Sequence, residues 1–142
     1  MEVKEVDHIC FAVRSVDEAR EVYEATLGLR PACEYVAPEE SIRVIRYYLG
    51  ALALEIMEPT NATCEVAKFL ESRGEGVFLI SYRVDDVEKA LAELHAAGRR
   101  TIDQKQRCLM GNRYAFIDPP KALHGVLTEI VDGEFINPTA GK

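Results

Sequence analysis

With 142 residues, 29% of them charged and 48% apolar, the chain has the length of one domain or of two small halves sharing a core, and the composition of an ordinary globule. A formal net charge of −7 with no basic run excludes a nucleic-acid binder and disfavours a membrane surface as partner. No apolar stretch approaches the ~20 residues of a bilayer span and Met1 to Val6 has no signal-like apolar core, so a cytoplasmic address is expected.

Cys10, Cys33, Cys64 and Cys108 are far apart, with no Cys-x-x-Cys pair, and read as reduced thiols rather than a zinc knuckle or a disulfide framework. Val6-Asp7-His8-Ile9-Cys10-Phe11-Ala12-Val13 predicts the first strand, with His8, Cys10 and Ala12 on one face. Ser15 with Glu18 forms a capping box ahead of a helical stripe of Val16, Ala19, Val22 and Tyr23, which Gly28 stops. Strands are predicted over Pro31 to Val36, Ser41 to Leu49 and Ala51 to Met57, with a turn at Leu49-Gly50. Cys64 to Ser72 reads as a short linking helix ending at Gly74.

From residue 77 the pattern begins again. An offset of 71 residues lays Leu79 on His8, Ile80 on Ile9, Tyr82 on Phe11, Val84 on Val13 and Val87 on Val16. Two homologous halves are the economical explanation. Asp85 and Glu88 are expected to cap the second helix, and Gly98 to stop it. Strands are then predicted at Arg99 to Asp103, Arg113 to Ile117 and Gly125 to Val131. Gln104 to Gly111 reads as a polar loop, Asp118-Pro119-Pro120 as a turn, and Gly133 to Lys142 as a loosely held tail.

A βαβββ unit appearing twice resembles the vicinal oxygen chelate fold of the glyoxalase/bleomycin resistance superfamily, and within it the methylmalonyl-CoA epimerases. The resemblance rests on Val6 to Ile9, Tyr23 with Leu27-Gly28-Leu29, Leu54 to Pro59, Arg73 to Gly76, Tyr82 to Asp86, Gly111-Asn112-Arg113 and Gly125 to Ile130. It implies an α+β fold in which two βαβββ modules, 5–59 and 76–132, form a cup-shaped mixed or antiparallel sheet. A linker helix at 60–75 would join them, ahead of the tail at 133–142. It also implies a homodimer and a small-molecule substrate.

Such cups hold a divalent metal on four strand positions, which here fall on His8, Glu55, Leu79 and Glu129. His8, Glu55 and Glu129 are therefore the expected ligands of one cobalt, zinc, nickel or manganese ion, imidazole and carboxylate both suiting such ions. Residue parity supports the assignment independently: Glu55 lies between Leu54 and Ile56, and Glu129 sits among Leu127, Thr128, Ile130 and Val131. A carboxylate among buried neighbours is costly unless it is paired or bound to a cation.

Leu79 departs from the epimerase pattern, which has two histidines after Gly-Glu-Gly where this chain has Phe78-Leu79, and leaves a depleted site or a metal-free one. The second carboxylate acid of the family falls near Val44, which has no proton to give. The implied chemistry is epimerase-like or glyoxalase-like proton abstraction beside a carbonyl or thioester of a small carboxylic substrate, with Glu129 as base. Two alternatives stay open: a metal-free protein that binds or sequesters a small molecule, and a metal-independent lyase or isomerase using Glu129. Leu79, Ser81, Arg43, Arg113 and Tyr47 are candidate substrate contacts, and His124 is read as an exposed loop histidine.

Overall fold

Valine, isoleucine and phenylalanine interleaved along the chain make Val3–Ala12 the first strand, β1, in a computed structural model that describes residues 1–117 and 123–138. Ser15 caps α1, Val16–Glu21, its side chain accepting from the Glu18 backbone N–H at 3.1 Å. The helix then widens into a π-helical segment, Val22–Thr26. A meander follows: β2 Pro31–Ala37, β3 Ile42–Leu49 and β4 Leu52–Pro59, each antiparallel to the next. Asn61 folds the chain into α2, Glu65–Arg73, by accepting the N–H groups of Thr63 and Cys64 at 3.0 and 2.8 Å.

The second half supplies β5 Gly76–Val84, α3 Val87–Ala96, β6 Arg107–Leu109, β7 Asn112–Ile117 and β8 Leu127–Gly133. The strands form one sheet in the order β2-β3-β4-β1-β5-β8-β7-β6. β5 and β8 pair in parallel, whereas β6, β7 and β8 pair antiparallel, so the sheet is mixed and the fold α+β as expected. Among the described residues no helix is long and apolar enough to cross a membrane.

The chain divides into two compact units, and both β1 and β5 contribute to each. In the unit holding Ile9–Phe78, α1 packs on Val13, Ile45, Tyr47, Leu54 and Ile56. Strand alternation sends Val44, Arg46, Ala53, Glu55 and Met57 to the opposite sheet face. In the unit formed by Met1–His8 and Leu79–Asn137, Val87, Ala90 and Leu91 of α3 pack on Val84, Ala115 and Ile130. Leu79, Ser81, Leu127, Glu129 and Val131 alternate to the other face.

Two local expectations are corrected. Asp86, not Asp85, caps α3 by accepting from the Lys89 N–H at 2.9 Å, and Asp85 instead accepts from the Glu2 N–H at 3.1 Å. The strand expected at Arg99 to Asp103 is reduced to a single bridge from Thr101 to Ile117, and β6 lies within the stretch read as a polar loop. Its hairpin turns at Met110 and Gly111, both at positive φ (48° and 84°), the geometry of a two-residue type I′ turn. The expected turn at Asp118-Pro119-Pro120 and the tail beyond residue 138 lie outside the described residues.

Gly111 also lies against the chain that leaves β8: a Cβ there would run into the Glu134 carbonyl oxygen and the Ile136 side chain. Gly50 has a comparable φ of 66° but open space around it. Gly111→Ala is expected to destabilise by about 2–3 kcal/mol and Gly50→Ala by about 1 kcal/mol. Urea midpoints at unchanged slope measure the difference, and equal losses would contradict the close approach.

Candidate active site

β1 carries two consecutive buried polar residues, Asp7 and His8, although alternation should part them. Asp7 reaches back, its Oδ2 lying 2.7 Å from His8 Nδ1. Arg83 of β5 anchors the other oxygen, with Nε and Nη2 at 3.0 and 2.8 Å from Oδ1, and its Nη1 donates to the Gly133 carbonyl at 2.6 Å. Burial alone would raise the Asp7 pKa, but the hydrogen bonds and charges of His8 and Arg83 outweigh it and hold the carboxyl at about 2.

On its other side His8 meets β8. Nε2 lies 3.3 Å from Glu129 Oε1, and Ser81 donates its hydroxyl to that same oxygen at 2.7 Å. Ser81 and Glu129 are direct partners across the parallel β5–β8 pair, as are Leu79 and Leu127 two residues earlier. Ser81 and Leu79 are both buried, so Glu129 is flanked by one hydroxyl, one imidazole and an apolar floor.

In the other unit Glu55 stands directly opposite Arg46 across β3 and β4. Arg46 Nη1 and the Tyr35 hydroxyl both donate to Glu55 Oε2, at 3.0 and 2.7 Å, and the Cys10 thiol lies 3.5 Å from Oε1. Arg46 Nε donates to the Tyr48 hydroxyl at 3.2 Å, and its guanidinium lies 5.1 Å from the Tyr48 ring centre. Burial works against the Arg46 charge, but Glu55 and then Tyr48 more than restore it and the guanidinium stays firmly protonated. Burial, followed by the neighbouring Glu55 charge, pushes the Tyr35 phenol well above its ordinary range.

The structure brings His8, Ser81, Leu79 and Glu129 together in one unit, and places Glu55 in the other unit with an arginine on it. For Arg43, Tyr47 and Arg113, expected as substrate contacts, the placement is different: all three lie on the helix-packed faces. Arg43 is held by Asp17, Glu34 and Glu58. Tyr47 is fully buried in the α1 cluster with its hydroxyl 3.3 Å from Glu24. Arg113 binds Asp132, with Asp86 and Glu88 at 3.6 and 3.9 Å. His124 is exposed, at a positive φ of 60°.

Sequence reasoning missed Tyr35, Asp7 and Arg83 as polar partners, and it took Arg46 for a candidate carboxylate or phosphate contact without pairing it with Glu55. A signal for Arg46 was present: counting outward from the Leu49/Leu52 hairpin pairs 46 with 55. Strand alternation worked against finding Asp7, because it assigns neighbouring residues to opposite faces.

A family model for the glyoxalase/bleomycin resistance protein/dioxygenase superfamily matches residues 7–116, well over half of the chain. The chain belongs to this superfamily. Its relatives include the uncharacterized protein YqjC of Bacillus subtilis, 33% identical over 128 residues that cover 89% of this chain and 91% of that one. The ethylmalonyl-CoA/methylmalonyl-CoA epimerase of Cereibacter sphaeroides is 27% identical over 128 residues, covering 88% and 95%. Among solved structures, a methylmalonyl-CoA epimerase in complex with methylmalonyl-CoA and ammonium superposes with a TM-score of 0.87 at 32% identity, covering 96% of this chain and 99% of that one.

The superfamily implies a divalent metal, and the donor chemistry fits one only in reduced form. His8 and Glu129 are suitable donors, and Asp7 gives His8 the outer carboxylate that metal-binding histidines commonly use. Leu79 offers no donor. Glu55 already has a guanidinium on one oxygen, and a second cation beside it would be repelled.

Two stability predictions follow from these contacts. Arg46→Met leaves the buried Glu55 charge unanswered and should cost about 3–5 kcal/mol, most of it recovered by adding Glu55→Leu; denaturant unfolding of the three variants measures the coupling. Asp7, depressed below its usual 3.8, contributes stability that is complete above that value and is lost as pH falls toward 2. Thermal unfolding between those limits should show this acid limb flattened in Asp7→Asn.

Proposed function

We propose that the protein is an epimerase-like or glyoxalase-like enzyme that removes a proton beside the carbonyl or thioester of a small carboxylic substrate, with Glu129 as base. One observation carries this reading. Of the buried carboxylates among the described residues, Asp7 is held by Arg83, Glu55 by Arg46 and Asp132 by Arg113, whereas the partners of Glu129 are the Ser81 hydroxyl and the His8 ring. A guanidinium on a carboxylate quenches its basicity, so Glu129 is the carboxylate left fit to take a proton.

The Glu129 carboxylate accepts the proton from the substrate carbon, leaving the electron pair delocalised onto the adjacent carbonyl oxygen as an enolate. Ser81 fixes one carboxylate oxygen by its hydrogen bond and so sets the direction of the other. Glu129 then returns the proton. Val44, buried at the place where the resemblance puts a second acid, has none to offer, which favours a one-base isomerisation over an inversion that needs a donor on each face. His8 and Glu129 would hold a divalent ion, and such an ion when bound supplies Lewis-acid stabilisation of the enolate oxygen.

Leu79, buried opposite Leu127, favours a second reading, a metal-free protein that binds a small apolar ligand without transforming it. Exchange chemistry separates the two. With methylmalonyl-CoA as the probe suggested by the relatives, solvent deuterium should enter the α-carbon, and Glu129→Gln should slow entry by about 10²–10⁴-fold. Mass spectrometry reads the incorporation. Calorimetric binding with no exchange by the native protein, both with added cobalt or manganese and without, would leave only the binding reading.

A further inference from the structure

Asp7 and Arg83 have no part in the proton transfer just described, yet they are the best-anchored polar pair beside it. Arg83 places two nitrogens on Asp7 Oδ1 and a third on the Gly133 carbonyl, which leaves Asp7 Oδ2 turned to the ring of its own neighbour, 2.7 Å from His8 Nδ1. The side chains of Asp7 and His8 are 9% and 8% exposed, so solvent does not compete for this contact. A carboxylate oxygen only accepts, and the contact therefore requires the ring to carry a hydrogen on Nδ1.

We infer that Arg83 and Asp7 are positioning residues that lock His8 in the Nδ1–H tautomer and present its Nε2 toward Glu129. The lock deepens the proposed function, on which its catalytic meaning rests. With Nδ1 committed, Nε2 is the nitrogen that faces the base, 3.3 Å from its Oε1, and the nitrogen that would ligate an ion. A carboxylate behind a histidine also strengthens that nitrogen as a donor. Glu5 also lies 3.9 Å from Arg83.

The test needs neither substrate nor metal. Long-range ¹H–¹⁵N correlation of labelled protein, well above the ordinary histidine range, resolves the tautomer of each of the three histidines, His8, His95 and His124, with His8→Gln giving the assignment. The native protein should show His8 protonated on Nδ1 and bare on Nε2. Asp7→Asn should shift it toward the Nε2–H form, and Arg83→Lys, which keeps the charge but loses the fork, should loosen the preference. A native His8 protonated on Nε2 overturns the inference, as does an unchanged tautomer in folded Asp7→Asn. The native spectrum decides even if the variants fail to fold.

A cobalt titration adds a second readout: Asp7→Asn should weaken binding by about 10–100-fold. If the native protein takes up no cobalt, the metal part of the proposed function fails, while the tautomer still decides the positioning role.

Discussion

Glu55 and Glu129 each stand in the middle of a strand whose neighbouring residues are apolar, and taking a carboxylate out of water costs several kcal/mol unless something nearby answers its charge. The polar groups beside each glutamate answer that demand differently. At Glu55 the answer is permanent: a guanidinium from the facing strand, a phenol from β2 and a thiol from β1. At Glu129 the answer is softer, a neutral hydroxyl donated by Ser81, with the His8 imidazole beside it secured by a separate ion pair.

The contrast bears on chemistry more than on stability. A buried ion pair of the Glu55–Arg46 kind is a weak source of net folding energy, because the desolvation of both partners offsets most of their attraction. It does fix geometry, since Arg46 is further tied to Tyr48 and Glu55 to Tyr35. Such a carboxylate is poorly suited either to gain a proton or to share a second cation. Glu129 has no such tie, as the proposed reaction requires of its base, which must change its protonation state in each turnover.

The parts of the fold written in local pattern were legible in the sequence. The repeat, the Ser15 cap, the glycines at positive φ after the helices and the meander of the first half all rest on nearest-neighbour chemistry. β6 was hidden because Gln104, Lys105 and Gln106 lead into it, and because Met110, a residue that rarely adopts positive φ, opens its turn. The candidate site was legible in its ligand positions and obscure in its partners. Tyr47 and Tyr48 show why: adjacent residues point to opposite faces, and a hairpin register is needed to decide which of them shares the side of Glu55.

Leu79 offers no donor at a position that the superfamily resemblance assigns to a metal ligand, and Arg46 sets a fixed positive charge on Glu55 at another such position. On the β1–β5–β8 side, Asp7 holds the His8 imidazole and Ser81 donates to Glu129, a carboxylate on which no guanidinium lies among the described residues. Burying that arrangement carries a desolvation cost that a purely apolar ligand pocket would not need, and this cost is what supports the proposed reading of the site.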